Sequence, residues 1–163
     1  MKYLRILLCV VAVVLSVTVF SSCDDDSESN RPDVTISVSY GDEVSVVDND
    51  VYLVQGNDLQ ITGVYVRANR PGKTATIGPV TYTFDGITVG YNPVAPFGIT
   101  VPTASLSPGR YLLTIGMTVA EVHCELAQAY APIEVNIVAS QDDIPSDADN
   151  ADGSGYPVRI NLQ

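Results

Sequence analysis

The chain has 163 residues and a formal net charge of −11. Its length fits a single domain. The charge argues against nucleic acid as a partner, because 8 Lys and Arg residues face 19 acidic residues and form no basic patch that could neutralise phosphates. The cations of the central region are Arg67, Arg70, Lys73 and Arg110.

The N-terminus predicts a secretory signal. Lys2 and Arg5 form a short positive start, and an uncharged apolar run follows from residue 6 to residue 20. At about 1.5 Å per residue, a helix of this length falls short of a ~30 Å hydrocarbon core. The run therefore fits a signal peptide better than a membrane span, and we predict that residues 1–22 are removed.

Phe20-Ser21-Ser22-Cys23 ends this segment and resembles a lipobox, the site where bacterial lipoprotein signals are cut before a cysteine that becomes lipid-modified. Phe20 stands where Leu is usual in that motif. The resemblance implies that the mature chain begins at Cys23, carries covalent lipid there and is held firmly at a membrane. An ordinary secretory signal with an incidental cysteine is the alternative.

Residues 23–33 predict a lipidated cysteine followed by a solvated acidic tether, because the tether offers no apolar side chain to bury. Asp24-Asp25-Asp26 also resembles the surface-export signal of some Gram-negative bacteria. In enteric-type bacteria an Asp directly after the lipidated cysteine can indicate retention in the inner membrane instead. A spacer without any sorting signal is a third interpretation. We expect an outer-membrane lipoprotein of the cell envelope. Its domain would face either the periplasm or the cell surface.

Residues 34–140 predict one all-β domain of about 110 residues that buries a core. Val, Ile, Thr and Tyr are frequent there, and Gly, Pro and Asp interrupt them at short intervals. Four stretches alternate apolar and polar residues, as strands with one buried face do. The apolar positions are Val34, Ile36, Val38 and Tyr40; Val80, Tyr82 and Phe84; Tyr111, Leu113, Ile115, Met117 and Val119; and Ile133, Val135 and Ile137.

Three local signals refine this pattern. In Leu59–Val66 the apolar parity switches at Gly63, which predicts a bulge that restores the inward face; a strand buried on both faces is the alternative. Asp85-Gly86 predicts a two-residue hairpin, because both residues accept the positive φ of a type I′ turn. Ala120–Ala131 leaves room for a short helical turn.

Two segments resemble bacterial immunoglobulin-like domains. Val80–Val89 is similar to their third-strand hairpin, and Ser107–Ile115 is similar to their sixth strand, where a Pro-Gly-x-Tyr-x-Leu pattern is common. Ala95-Pro96-Phe97 fits between them. The resemblance implies a single immunoglobulin-like β-sandwich of about seven strands. The core Trp and the disulfide of antibody-type domains have no counterpart in this sequence, and fold analogy alone assigns no function.

The three cysteines predict a mature chain without an internal disulfide. Cys9 leaves with the signal and Cys23 carries lipid, so Cys124 remains alone. We expect Cys124 to be a small apolar core residue; a reactive thiol and a bridge between chains are the alternatives. His123 is the only histidine, and neighbours on a strand point to opposite faces, so His123 and Cys124 predict no dyad. We expect His123 at a strand end or in a loop.

The acidic residues predict no catalytic pair and no metal site. Glycoside hydrolysis needs two carboxyl groups on a rigid cleft, and no spacing singles out two of them; one histidine also excludes a multi-histidine zinc site. We therefore predict no enzyme activity and no cofactor beyond the lipid on Cys23. The central acids are Asp42, Glu43, Asp48, Asp50, Asp58, Asp85, Glu121, Glu125 and Glu134.

Residues 141–163 predict an acidic linker that ends in a short strand. Asp147–Gly153 is rich in oxygen ligands, but its third acid is one position late for a calcium loop and Val158 stands where a bidentate Glu is needed. Val158, Ile160 and Leu162 alternate, so the terminal strand adds either to the domain itself or to a partner.

Taken together, these features favour a non-catalytic, membrane-anchored binding or assembly module that presents loop tips or a strand edge to a protein partner. The alternative is a glycan-binding surface lipoprotein accessory to carbohydrate uptake. Tyrosines clustered on one exposed face would favour the glycan, and an apolar patch or open edge would favour the protein. The candidate tyrosines are Tyr40, Tyr52, Tyr65, Tyr91, Tyr130 and Tyr156.

Overall fold

In the computed structural model, which describes residues 30–163, the chain is built almost entirely of β-strands. The predicted signal peptide 1–22, the lipidation site Cys23 and most of the tether lie outside the described residues. A short 3₁₀ helix covers Gln141–Asp143. The strands are β1 Val34–Tyr40, β2 Val44–Val47, β3 Asp50–Val54, β4 Leu59–Ala68, β5 Ala75–Phe84, β6 Ile87–Asn92, β7 Ile99–Val101, β8 Gly109–Glu121, β9 Ala127–Val138, β10 Asp149–Asn150, β11 Tyr156–Val158 and β12 Asn161–Leu162.

The strands form two sheets. The smaller sheet has the order β11-β1-β4-β7, and the larger has the order β10-β2-β3-β9-β8-β5-β6, with β12 also paired to β9. Neighbours pair antiparallel except β3 and β9, which run parallel. The prediction of an all-β, two-sheet domain is confirmed, whereas the immunoglobulin-like relationship stays a prediction. The strands outnumber the expected seven because the short β2–β3 hairpin and the C-terminal strands carry too few residues to show a period.

The core lies between the two sheets and consists of the alternating positions. Tyr82, Ile115 and Ile133 are fully buried, and all predicted inward positions are buried except Tyr111, which is half-buried. The Tyr111 ring stacks on Phe84 with 5.6 Å between ring centroids. Each large side chain buried in this way contributes about 1.5–3 kcal/mol. Cys124 is the only cysteine among residues 30–163 and is free, so packing rather than a disulfide holds this part of the chain together.

The predicted bulge and hairpin are both present. Ser39 pairs with Gly63 and Tyr40 with Ile61, so Thr62 is the extra residue and Val64 returns to the core. At the hairpin Asp85 and Gly86 have φ values of 45° and 81°, as a type I′ turn requires.

The helical turn allowed for in Ala120–Ala131 is wrong. β8 continues to Glu121 and β9 begins at Ala127, and a tight turn closed by a 3.0 Å hydrogen bond from Cys124 N–H to the Glu121 carbonyl joins them. The inward alternation simply continues through Glu121 on one strand and Ala127 on the other.

Residues 141–163 return to the domain instead of forming a separate linker. β10 pairs with β2, β11 with β1 and β12 with β9. Ala151 is buried, and Asn150 Oδ1 accepts a 3.0 Å hydrogen bond from Ser45 Oγ. The acidic composition of this segment predicted a solvated linker. Strands can pair through their backbones while their acidic side chains stay in water, so composition did not reveal the pairing. The terminal strand therefore docks on its own domain, and residues 31–163 form one compact unit.

A buried carboxylate fixes the point where the tether joins the domain. The side chain of Glu121 is fully buried, and its Oε2 accepts a 2.7 Å hydrogen bond from the Asp33 N–H. Arg70 Nη1 lies 3.4 Å from the same oxygen, and Arg70 Nη2 donates to the Arg31 carbonyl at 3.0 Å. We call Arg31, Asp33, Arg70 and Glu121 the tether joint. Among residues 30–163, no helix is long and apolar enough to cross a membrane.

We predict that Arg70→Ala lowers the free energy of unfolding by about 1–3 kcal/mol, because it removes the counter-charge and one hydrogen-bond donor from the buried Glu121 carboxylate. Arg110→Ala is the matched control. Arg110 pairs with Glu134 at 3.5 Å, but the two side chains are 79% and 40% exposed, so its loss should cost less than about 1 kcal/mol. Urea unfolding of both variants measures the difference. Equal losses would show that the joint contributes no more than a surface pair.

We predict that truncation after Ser140 leaves a cooperatively folding domain whose free energy of unfolding is lower by about 3 kcal/mol or more. The truncation removes β10–β12, the buried Ala151 and the apolar side chains that pack beside it. Truncation after Val158 is the control and should cost much less, because it removes only β12. Thermal unfolding of the two truncated chains provides the measurement, and an unchanged midpoint after Ser140 would contradict the prediction.

Candidate functional site

A row of outward-facing residues crosses the middle of the larger sheet. Tyr91 on β6 pairs with Thr81 on β5, Thr81 with Gly116 on β8, and Gly116 with Tyr130 on β9. Their strand neighbours face the core, so these four residues face outward. Four strands spaced at about 4.8 Å place the Cα atoms of the two tyrosines about 14 Å apart. The fold thus brings onto one face two candidate tyrosines that are distant in sequence.

Tyr130 covers a glycine and shapes a shallow recess beside it. A Cβ atom built on Gly116 would lie 3.5 Å from two carbons of the Tyr130 ring, so the ring leans over Gly116. Tyr130 remains 38% exposed. The open recess, of about 420 Å³, is called the Tyr130 recess below. It is lined by Pro79, Thr81, Gly116, Met117, Thr118, Gln128 and Tyr130.

The rim of the Tyr130 recess carries polar side chains in a fixed arrangement. Gln128 Nε2 donates a 2.9 Å hydrogen bond to Thr118 Oγ1, which holds the amide and the hydroxyl together. Gln128 and Tyr130 project from alternate residues of β9, so the amide stands next to the aromatic ring. An aromatic face beside amide and hydroxyl groups suits a ligand with both apolar and polar surfaces.

The same sheet ends in an exposed edge strand. β6 is the last strand of the larger sheet, and Ile87 and Tyr91 on it are 70% and 63% exposed. Edge strands offer unpaired backbone groups to a partner strand. Exposed tyrosines favour a glycan ligand, and an open strand edge favours a protein partner. The larger sheet carries both features.

The other candidate tyrosines lie elsewhere. Tyr40 is buried, burial raises the pKa of its hydroxyl, and its ring packs against Tyr156 with 6.2 Å between centroids. Tyr52 is half-buried on β3. Tyr65 is 48% exposed on the outer face of the smaller sheet, where its ring lies against Gly63. These four residues therefore do not extend the row formed by Tyr91 and Tyr130.

The adjacent His123 and Cys124 do not form a reactive pair. His123 is exposed in the β8–β9 turn with a φ of 69°, which confirms the expectation of a loop histidine. Within the part of the chain that the structure describes, no hydrogen bond joins it to Cys124 or to a serine. Cys124 is half-buried, and its Sγ accepts a 3.0 Å hydrogen bond from Arg70 Nη1. The expectation of an apolar core cysteine is wrong, because the turn places the thiol against the charged tether joint.

The structure brings together two carboxyl groups that sequence spacing did not reveal. Asp50 and Glu134 are register partners in the parallel β3–β9 pair. Burial and then the Glu134 charge raise the pKa of Asp50, whereas Arg159 and Arg110 oppose this shift. Arg110 lies 3.5 Å from Glu134, so cations balance the two acids. No local signal could have found the pair, since parallel pairing joins distant segments.

The oxygen-rich C-terminal segment is used for internal hydrogen bonds. Asp152 Oδ1 accepts a 2.8 Å hydrogen bond from Ser154 N–H, and hydrogen bonding to Ser154 lowers the pKa of Asp152. Asn150 is bound to Ser45, as described above. Across residues 30–163, no group of three or more His, Cys, Asp or Glu side chains is placed to hold a metal ion.

The Tyr130 recess and the exposed edge strand β6 thus form the candidate binding surface. No sequence motif marks either feature. Tyr91 and Tyr130 were among the candidates predicted from the sequence, whereas Gly116, Thr118 and Gln128 were not, because only the register between β8 and β9 brings these three residues together. Comparisons of the chain with known protein families, with curated proteins and with solved structures found no match.

Proposed function

We propose that the protein is a non-catalytic binding module, held at the cell envelope by lipid on Cys23, that takes its ligand on the outer face of the larger sheet. The observation that carries this proposal is the Tyr130 recess, which lies on the three central strands β5, β8 and β9. The inner faces of these strands are fully buried at Tyr82, Ile115 and Ala131. Binding surfaces on such rigid strands are held more precisely than those on loops.

The anchor is supported by the lipobox-like Phe20-Ser21-Ser22-Cys23 and by the way the folded domain starts. Asp33 and Arg31 are bound at the tether joint, so the domain begins directly after the acidic segment. An outer-membrane lipoprotein with this arrangement displays the larger sheet at the end of a short tether.

A glycan is the ligand that the tyrosine row favours. Tyrosine combines an apolar ring face, on which the C–H face of a sugar can stack, with a polar hydroxyl. Tyr91 and Tyr130 provide two such rings about 14 Å apart, and Thr81 lies between them. Gln128 and Thr118 add hydrogen-bonding groups beside Tyr130. A short oligosaccharide along this row would fit the role of an accessory to carbohydrate uptake.

A protein partner is favoured instead by the exposed β6 edge. A strand added beside β6 would extend the larger sheet through backbone hydrogen bonds and would cover Ile87 and Tyr91. The two candidates share Tyr91 and differ in whether the Tyr130 recess takes part.

We predict that Cys23→Ala moves the protein from the membrane fraction to the soluble fraction, because the acyl chains on Cys23 supply the anchoring. Cys124→Ala is the control and should stay in the membrane fraction. Fractionation of cells and mass spectrometry of the N-terminal peptide provide the two readings. Membrane retention of Cys23→Ala, or fatty acid still attached to it, would contradict the anchor.

We predict that Tyr130→Ala weakens binding to immobilised oligosaccharides about three- to tenfold, as expected for the loss of one stacked ring. Tyr65→Ala is the control, because Tyr65 is similarly exposed on the opposite sheet. A panel of oligosaccharides probed with residues 24–163 measures both variants.

A photo-crosslinking experiment distinguishes a protein partner from a glycan ligand. A photo-crosslinking residue is placed at position 130, at position 87 or at position 65 in intact cells. Protein adducts from position 87 alone favour the edge, and saccharide binding lost with Tyr130→Ala favours the recess. Equal behaviour of Tyr65 and Tyr130 in both experiments would overturn the larger sheet as the binding face.

A further inference from the structure

We propose that the β8–β9 turn, through Val122 and Leu126, contacts the lipid bilayer in which the protein is anchored. The inference rests on the proposed lipid at Cys23. Val122 and Leu126 are 46% and 73% exposed, and both belong to the turn that joins the two longest strands. Single exposed apolar residues are common on protein surfaces, so their position relative to the anchor carries the argument.

The turn and the tether leave the domain at the same end. Glu121 is the last residue of β8, immediately before Val122, and its carboxylate binds the Asp33 N–H at 2.7 Å. Leu126 shares a small recess of about 160 Å³ with Arg31 and Pro32. Val122 N–H also donates to the Thr74 carbonyl at 3.1 Å, which fixes the turn against the neighbouring loop.

The length of chain before the joint keeps this end close to the bilayer. Eight peptide steps separate Cys23 from Arg31, and they reach at most about 29 Å whatever their conformation. The opposite end of the domain lies farther away by the stretch of β8 from Leu113 to Glu121, which spans about 27 Å. The end that carries Val122 and Leu126 can therefore meet the bilayer at any tether length, whereas the opposite end could do so only with the tether almost fully extended.

The chemistry of the turn suits the interface between lipid and water. Leu126 and Val122 supply apolar groups, and His123 and Glu125 between them are exposed and polar. Acyl chains on Cys23 hold the domain at the membrane surface. The turn therefore meets the lipid at a high effective concentration, so a small apolar contact is sufficient. The contact would set the orientation of the domain, with its strands upright and the Tyr130 recess directed to the side.

Tryptophan fluorescence tests this contact, because the chain contains no Trp. Leu126→Trp and Ile87→Trp each introduce a single reporter at positions of matched exposure, 73% and 70%, at opposite ends of the domain. Ile87 lies at the far end, since it pairs with Phe84, which pairs with Leu113. The lipidated full chain is purified from membranes and reconstituted into phosphatidylcholine vesicles with or without brominated acyl chains.

We predict that the emission of Trp at position 126 shifts to shorter wavelength and is quenched by brominated lipid at least about twofold more strongly than that of Trp at position 87. Flotation of the vesicles is measured first. Protein that fails to float with the vesicles overturns the anchor and this contact with it. Floating protein with equal quenching at both positions overturns the contact alone. A blue shift without quenching assigns the turn to a protein contact and also overturns the proposal.

Discussion

The register between β8 and β9 is the constraint on which the rest of the molecule depends. The two strands pair from Gly109 with Ile137 to Val119 with Ala127, at the centre of the larger sheet. Because side chains alternate, this register sends Leu113, Ile115 and Met117 into the core and leaves Gly116 facing outward. A slip by one residue would bury the polar face and expose the core. One register thus determines the Tyr130 recess, the core and the burial of Glu121 at the end of β8.

The sequence predicted what depends on short stretches of chain. The alternating faces, the bulge beside Gly63 and the Asp85-Gly86 hairpin all follow from residues within a few positions of one another. Contacts between distant segments were not predictable, and the parallel β3–β9 pair that joins Asp50 to Glu134 is the clearest case. The return of the C-terminus was missed for a related reason, since backbone pairing at a strand edge requires no particular side chain.

The candidate site shows the same division. Residue type alone does not distinguish Tyr40 from Tyr130, although one is buried and the other exposed. The surroundings of Cys124 were misjudged, because a tight turn placed the thiol near Arg70. In the function proposed here, the larger sheet would carry the ligand surface on its face, and the end with the β8–β9 turn would carry the attachment. Binding and anchoring would then use different parts of one small domain.

The hydrogen bonds at the tether joint have a mechanical consequence. A ligand held on the larger sheet and an anchor fixed in a membrane would pull on the domain in different directions, and the load would enter at Arg31 and Asp33. The bonds to Arg70 and Glu121 would bear that load before β1 does. β1 is itself held between β4 and β11, with its hydrogen bonds across the strand direction. With the proposed anchor in place, the joint would take up tension first and would protect β1 from being pulled out of the smaller sheet.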